Sequence, residues 1–278
     1  MSPALFLTLQ RLLPKQLLTE ALGALAGVRG GAATHWAIRR FIARYQVDMS
    51  EAADPDPVAY ASFNDFFTRP LAAGARPLAR AQWLCPVDGA VSQCGPIEDQ
   101  TLLQAKGHRY SLAALLADPS LATRFTGGAF ATLYLSPRDY HRIHMPAAGR
   151  LLSMTHVPGS LYSVNPVTVE GIPDLFARNE RLVCLFERAG EPFAMVLVGA
   201  TIVGRIETVW HGLVNAPRVG AVRTWRYDTQ PVDLAQGAEM GRFLLGSTVI
   251  LVVPASTTPM WPAWPAGRPV RLGEAMTA

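Results

Sequence analysis

The sequence predicts an α+β protein, with N-terminal amphipathic helices on a mostly antiparallel β body. Three observations predict it. Apolar residues recur at helical spacing through residues 1 to 67. From about residue 76 to 254 the chain turns to short β-branched or aromatic runs divided by Gly, Pro and Asp. A polar, proline-bearing linker, VDMSEAADPDP at 47 to 57, separates most of the helical part from the rest. At 278 residues the chain can form one large domain with an appendage, or two small domains, and can bury a substantial core. The expected division is a helical region over 1–67 and a β-rich domain over 68–278.

In the helical part, Leu5, Leu9 and Leu12 fall on one face, and Pro14 breaks the pattern or opens the next helix. Leu18, Leu22 and Leu25 resume it before Gly27 and Gly30. A third segment sets Ile38, Phe41, Ile42 and Tyr45 at helical spacing, with Arg39, Arg40 and Arg44 largely on other faces. Such a basic amphipathic set either lies on a membrane surface or packs on the protein's own core. Ser62 and Asp65 make a capping-box-like start before Phe66 and Phe67. The runs AFATLYL, LVCLFE, FAMVLVG, ATIVGRIETVW, AVRTWRY and TVILVV read as strands, and SLAALLA as a short helix closed by Asp118-Pro119. No internal repeat is present. The Pro- and Trp-rich tail from Pro254 is expected to be irregular.

Half of the residues are hydrophobic and 17% are charged, and the mean hydropathy is +0.18. These values argue against disorder and for apolar surface beyond that of an ordinary soluble core. The formal charge of +4 and the pI near 9.2 suit an anionic partner. Without zinc-finger spacing, an RNA-binding motif or a dense Lys/Arg block, nucleic acid is the poorer candidate and a lipid surface the better one. Cys85, Cys94 and Cys184 cannot all pair and show no CxxC spacing, so reduced, buried thiols in a cytosolic setting are expected. No run reaches the roughly 18 apolar residues of a spanning helix. The stretch ALFLTL is short and is followed, not preceded, by the basic Arg11 and Lys15, which does not fit a signal peptide.

Three segments carry chemistry. The first is Leu245-Gly246-Ser247-Thr248 inside the apolar run FLLGSTVILVV. A hydroxyl directly after a glycine can attack the glycine's carbonyl, because no side chain obstructs it. If the resulting ester breaks by β-elimination, Ser247 becomes dehydroalanine, loses ammonia and ends as a pyruvoyl group on a new N-terminus. The plain alternative is a Gly-Ser-Thr of a strand or turn. The second segment is SPRDYHRIHMP. Ser136, Pro137 and Asp139 form a helix-start signal and Met145-Pro146 a stop, so a short helix should carry His141 and His144 on one face. Such a pair could bind a metal, but no third ligand with recognisable spacing and no HExxH accompany it. The third is CPVDGAV, where Asp88-Gly89 reads as a tight turn and Asp88 is also well placed to orient a histidine. A nucleophile, base and orienting acid would then run in the order Asp88, His144, Ser247.

LGST near the C-terminus, YHRIHMP in the middle and the aspartate of PVDGAV together resemble the phosphatidylserine decarboxylase family, pyruvoyl-dependent and membrane-associated, in its short bacterial form. FNDFFTRPL, QAKGHRYSL, LFARNERLV and VGATIVGRIETVW extend the likeness from about residue 60 to 253. One departure is Val87 before Asp88, where a smaller side chain is expected. The resemblance implies self-cleavage between Gly246 and Ser247 into a β chain (1–246) and an α chain (247–278) that stay together as a heterodimer, with Ser247 as nucleophile and pyruvoyl precursor. It implies that His144 takes the hydroxyl proton, that Asp88 holds His144 in the required tautomer, and that His141 later protonates the decarboxylated substrate. Phosphatidylserine would condense with the pyruvoyl ketone as a Schiff base, lose carbon dioxide and leave as phosphatidylethanolamine, with no metal and no pyridoxal phosphate (PLP) required.

The resemblance further implies a membrane-associating region over 1–67, a catalytic domain over 68–278, a peripheral seat on the cytoplasmic face of the cell membrane with anionic phospholipid as partner, a homo-oligomer, and no nucleic acid. Ser163, in the loop PGSLYSVNP, is a weaker candidate for substrate contact or a simple turn residue. Arg178, Asn179 and Arg181 could meet a phosphate or carboxylate, or tie the fold together. Two rivals stand beside this reading. A serine hydrolase would use the same three residues, but no GxSxG elbow occurs. A noncatalytic membrane-binding protein would form no keto group and no product.

Overall fold

Leucine spacing and capping residues set the N-terminal helices of this computed structural model. It describes residues 2–201, 205–215, 220–244 and 247–277, without the side chains of Ser247, Thr258 and Pro259. Helix α1 (Pro3–Leu12) starts at Ser2, whose hydroxyl accepts the Leu5 N–H, with Pro3 in its first turn. Helices α2 (Lys15–Ala26) and α3 (Gly31–Tyr45) follow. Helix α4 (Phe63–Phe67) carries the expected cap: the Ser62 hydroxyl accepts the Asp65 N–H and donates to the Asp65 carboxylate.

The face of α1 turned to the body is not the leucine face. Gln10 is buried, and its side-chain oxygen accepts the Ser163 N–H at 3.0 Å and the Thr201 hydroxyl at 3.2 Å. Leu12, Leu17 and Leu25 stand outward, 76%, 68% and 66% exposed. Helix α3 turns most of its apolar stripe inward, Phe41 and Ile42 partly buried against the core, while Tyr45 stays exposed. Ile38 is fully buried, and Phe41 meets Phe63, Phe66 and Phe67 of α4 edge-on. Arg39, Arg40 and Arg44 remain exposed.

The body contains strands β1 (Gly89–Pro96), β2 (Thr101–Ala105), β3 (His108–Ser111), β4 (Ala129–Leu135), β5 (Arg142–His144), β6 (Gly149–Val157), β7 (Arg181–Arg188) and β8 (Glu191–Val198). It continues with β9 (Ile206–Thr208), β10 (Gly212–Leu213), β11 (Arg223–Arg226), β12 (Val232–Leu234), β13 (Glu239–Phe243), β14 (Ser247–Val253) and β15 (Pro269–Val270). Among the described residues a nine-stranded sheet runs in the order β11-β6-β7-β8-β14-β4-β1-β15, with β12 also on β6. A four-stranded sheet runs β10-β9-β13-β5, and β2 pairs with β3. The strand pairs are antiparallel. Strand β14 lies between β8 and β4, and Val249 through Val253 are fully buried. An unbroken apolar run is what a strand covered on both faces requires, and each such side chain contributes roughly 1.5–3 kcal/mol.

Three local expectations are corrected. SPRDYHRIHMP is not helical. The Asp139 N–H donates to the Ser136 carbonyl and the Asp139 carboxylate accepts the Ser136 N–H, so the presumed cap residues close a turn. The chain then extends as β5, because β13 offers it a partner ladder, with Arg242 opposite Arg142 and Glu239 opposite His144. Asp118 does not merely end the SLAALLA helix, α5 (Leu112–Leu116). It caps a second one, α6 (Pro119–Thr123), by accepting the Ser120 and Leu121 N–H groups. The tail, expected to be irregular, supplies β15 and further backbone bonds to residues 79–91.

Candidate active site

Strand register brings the distant segments to one place. Ser247, the first residue of β14, pairs with Leu135 at the end of β4, and Ala90 of β1 pairs with Tyr134 on the other side of β4. At Gly89 a Cβ would overlap the Tyr134 carbonyl, so only glycine permits β1 to approach β4 so closely beside Asp88. Beyond Leu135 the turn at 136–139 delivers His141, whose carbonyl accepts the Phe243 N–H four residues before Ser247. The His144 N–H donates to the Pro86 carbonyl, two residues before Asp88. Gly246 and the side chain of Ser247 lie outside the described residues; the backbone of Ser247 does not.

The two histidines have different surroundings. The Nδ1 of His144 is 2.8 Å from the Gly237 carbonyl, which can only accept, so Nδ1 carries the hydrogen and Nε2 the lone pair. The Tyr140 hydroxyl donates to that Nε2 at 3.1 Å. Burial lowers the pKa of His144, which favours the neutral, proton-accepting ring. His141 is fully buried, its ring centroid 4.1 Å from that of Phe67. Its Nδ1 donates to the Asp139 carbonyl at 2.7 Å, and its Nε2 is buried with no hydrogen-bond partner. Burial pushes its pKa down to about 3. A shared helix face is thus replaced by a strand residue, His144, and a residue just before that strand, His141, with separate partners.

Asp88 does not hold His144, contrary to the triad expected from sequence. Its carboxylate accepts from Arg76, Nε at 3.0 and 3.1 Å and Nη2 at 2.6 Å, and from the Leu272 N–H at 2.8 Å. The tautomer-fixing bond to His144 comes from Gly237 instead. Among nearby charges, Glu239 favours the protonated ring of His144 most, Arg142 opposes it, and Asp88 adds a smaller share in its favour. Beside Asp88 lies a cavity of about 280 Å³ lined by Arg69, Arg76, Asp139, Tyr140 and Arg271 among others.

Other candidates are placed elsewhere. The Ser163 N–H seats Gln10 of α1 and its carbonyl accepts the Thr168 hydroxyl, and Ser163 does not line the cavity. Arg181 is buried, and its guanidinium donates to the carbonyls of Ala114, Leu115, Ala177 and Asn179. Asn179 ties Tyr162 to Gly199, and the exposed Arg178 lies over the Tyr162 ring. Sequence reasoning missed Arg76, Gly237 and Leu272, whose roles arise only through contacts distant in the chain. Tyr140 sits inside the quoted histidine segment and was the one legible from sequence.

An imidazole with one ring nitrogen free to accept and a buried carboxylate lie near the head of a central strand that begins with serine, in an α+β fold. The profile of the family described as phosphatidylserine decarboxylase matches residues 63–278, and a second, described as PSD, matches residues 5–46. The chain is 62% identical to the phosphatidylserine decarboxylase proenzyme of Azoarcus sp. (strain BH72) over 277 residues, 99% of this chain and 96% of that one. It is 63% identical to that of Acidovorax ebreus over 268 residues, covering 96% and 95%. It is 62% identical to that of Chromobacterium violaceum over 280 residues, covering both chains in full. The chain belongs to the phosphatidylserine decarboxylase family.

Proposed function

We propose that this chain is a proenzyme that cuts itself between Gly246 and Ser247, with His144 Nε2 as the base and the Asp88 charge as its support. Its activity is the pyruvoyl-dependent decarboxylation of phosphatidylserine to phosphatidylethanolamine. The observation that carries the residue assignment is the His144 tautomer. With Nδ1–H spent on Gly237, the lone pair of Nε2 is available to take the Ser247 hydroxyl proton once Tyr140 yields it. The hydroxyl oxygen attacks the Gly246 carbonyl, the proton passes through His144 to the departing Ser247 nitrogen, and an ester replaces the amide. Loss of the Ser247 α-proton expels the Gly246 carboxylate, and water releases ammonia from what remains.

The fold suits a reactive group at that position. A seven-residue strand held between β8 and β4 keeps a new terminus in place after scission, and the buried Nε2 of His141 and hydroxyl of Thr248 next to Ser247 have no hydrogen-bond partner. When formed, the pyruvoyl group supplies a carbonyl that condenses with the substrate amine and accepts the electron pair left by carbon dioxide. The chain's own residues do the rest. His141 is neutral, so its Nε2 must gain a proton before delivering one to the substrate carbon. The substrate ammonium, which has to lose a proton before it reacts, is the source at hand. Outward leucines on α1 and α2 and the exposed arginines of α3 support a peripheral seat on the cytoplasmic face of the membrane, and among the described residues no helix is long and apolar enough to cross it.

Intact-mass spectrometry tests the assignment. Wild-type protein should separate under denaturing conditions into chains of residues 1–246 and 247–278, the smaller carrying a keto cap, while Ser247→Ala stays whole. A single intact mass for active wild-type protein would refute it, and would suit a serine hydrolase.

A further inference from the structure

The carboxy-terminal tail runs antiparallel to residues 79–91. The Gly267 N–H donates to the Val91 carbonyl and the Val91 N–H to the Arg268 carbonyl, each at 2.8 Å. Farther along, the Gly273 N–H donates to Cys85 (3.0 Å), the Cys85 N–H to Glu274 (2.8 Å) and the Met276 N–H to Trp83 (2.8 Å). Between these two sets the buried Leu272 N–H meets no carbonyl. It donates to Oδ1 of Asp88 at 2.8 Å. An amide fixed by pairing on both flanks cannot swing away, so it sets the place of the carboxylate more firmly than a mobile side chain would. From the other side Arg76 grips the same carboxylate, Glu51 holds Arg76 at 2.5 Å, and Arg271 of the tail reaches Glu51 at 3.2 Å, closing the ring.

We infer that the tail is a positioning element for self-cleavage, its Leu272 amide orienting Asp88 beside His144. The inference rests on the role given to Asp88 above. It has a consequence for the cut protein: the amide lies in the segment after Ser247 and Asp88 in the segment before it, so the small chain completes the acidic site of the large one.

The test compares four full-length chains by the rate at which they convert to two chains. They are wild type, Leu272→Ala, Asp88→Asn, and a semisynthetic chain whose Arg271–Leu272 amide is an ester. The ester removes the N–H with almost no change of shape, and Leu272→Ala removes the side chain but keeps the N–H. A hydrogen bond to a charged group is strong enough that the ester should slow conversion about tenfold or more, while Leu272→Ala stays within about threefold. In the Asp88→Asn background, whose residual conversion is followed over days, the ester should change the rate by less than about twofold, since a donor acting through Asp88 has nothing left to orient. Asp88→Asn slow with the ester at the wild-type rate overturns the positioning role alone. Equal slowing by Leu272→Ala and the ester, or a full ester effect without Asp88, reduces the tail to packing and also overturns it. Asp88→Asn at the wild-type rate instead removes the role given to Asp88, and this inference with it.

Discussion

His144 donates its Nδ1 hydrogen to the Gly237 carbonyl at 2.8 Å, and this bond decides which ring nitrogen can act as a base. A backbone carbonyl does here what a carboxylate does in many Ser-His-Asp sites. Asp88 is engaged instead by Arg76 and the Leu272 N–H.

The two histidines should separate by step. His144→Ala should slow self-cleavage about a hundred- to ten-thousandfold, as seen by intact mass. His141→Ala should still be cut, but the cut protein should lose turnover on phosphatidylserine vesicles. Uncut His141→Ala, or freely maturing His144→Ala, would reverse the assignment.

Acid stability should report the buried imidazole of His141. Its pKa falls from 6.5 to about 3 on folding, so the unfolded chain binds the extra proton between those values. This contribution is fully present above pH 6.5 and is lost as pH falls toward 3, by about 1.4 kcal/mol per unit at most. Urea titrations of uncut Ser247→Ala protein across this window should give a steeper acid limb than the same protein carrying His141→Phe. Parallel limbs would show that the ring titrates normally.

Gly89→Ala should be damaging despite its size. The added Cβ overlaps the Tyr134 carbonyl, a backbone atom that cannot rotate aside, so β1 must shift on β4 next to Asp88. The expected cost is about 1–3 kcal/mol of stability, with slowed processing. Gly95→Ala on the same strand meets nothing within 4 Å and serves as the control. A melting temperature equal to that of the control would contradict the proposed close approach.

Vesicle binding should depend on the outward leucines. Leu12→Glu, Leu17→Glu and Leu25→Glu together remove apolar side chains that the fold leaves exposed, each worth about 1.5 kcal/mol or more when buried in lipid. Binding to phosphatidylserine vesicles in flotation should fall at least about a thousandfold while self-cleavage continues. Replacing Arg39, Arg40 and Arg44 by Gln should weaken binding less, at about 1 kcal/mol per residue, and salt should abolish the difference. Undiminished flotation of the triple leucine variant would place the membrane contact elsewhere.

Much of this protein was determined by local sequence. Ser2, Ser62, Ser111 and Asp118 start helices because a short side-chain oxygen can accept an otherwise unpaired N–H. Val249 to Val253 form a central strand because an unbroken apolar run can be buried on both faces. The combination of LGST, YHRIHMP and PVDGAV was enough to point to the family that the comparisons support. Tertiary structure decided the rest. The Ser-Pro-Arg-Asp start signal lost to β13, since a ladder partner nearly a hundred residues away offers more backbone bonds than a one-turn helix can make. The outward face of α1 depended on Gln10 finding Ser163 and Thr201. Gly237 replaced Asp88 at His144, and Leu272 reached Asp88, through backbone groups that every residue except proline carries in full. No residue type or spacing can announce them, because backbone donors and acceptors acquire identity only from where the fold puts them.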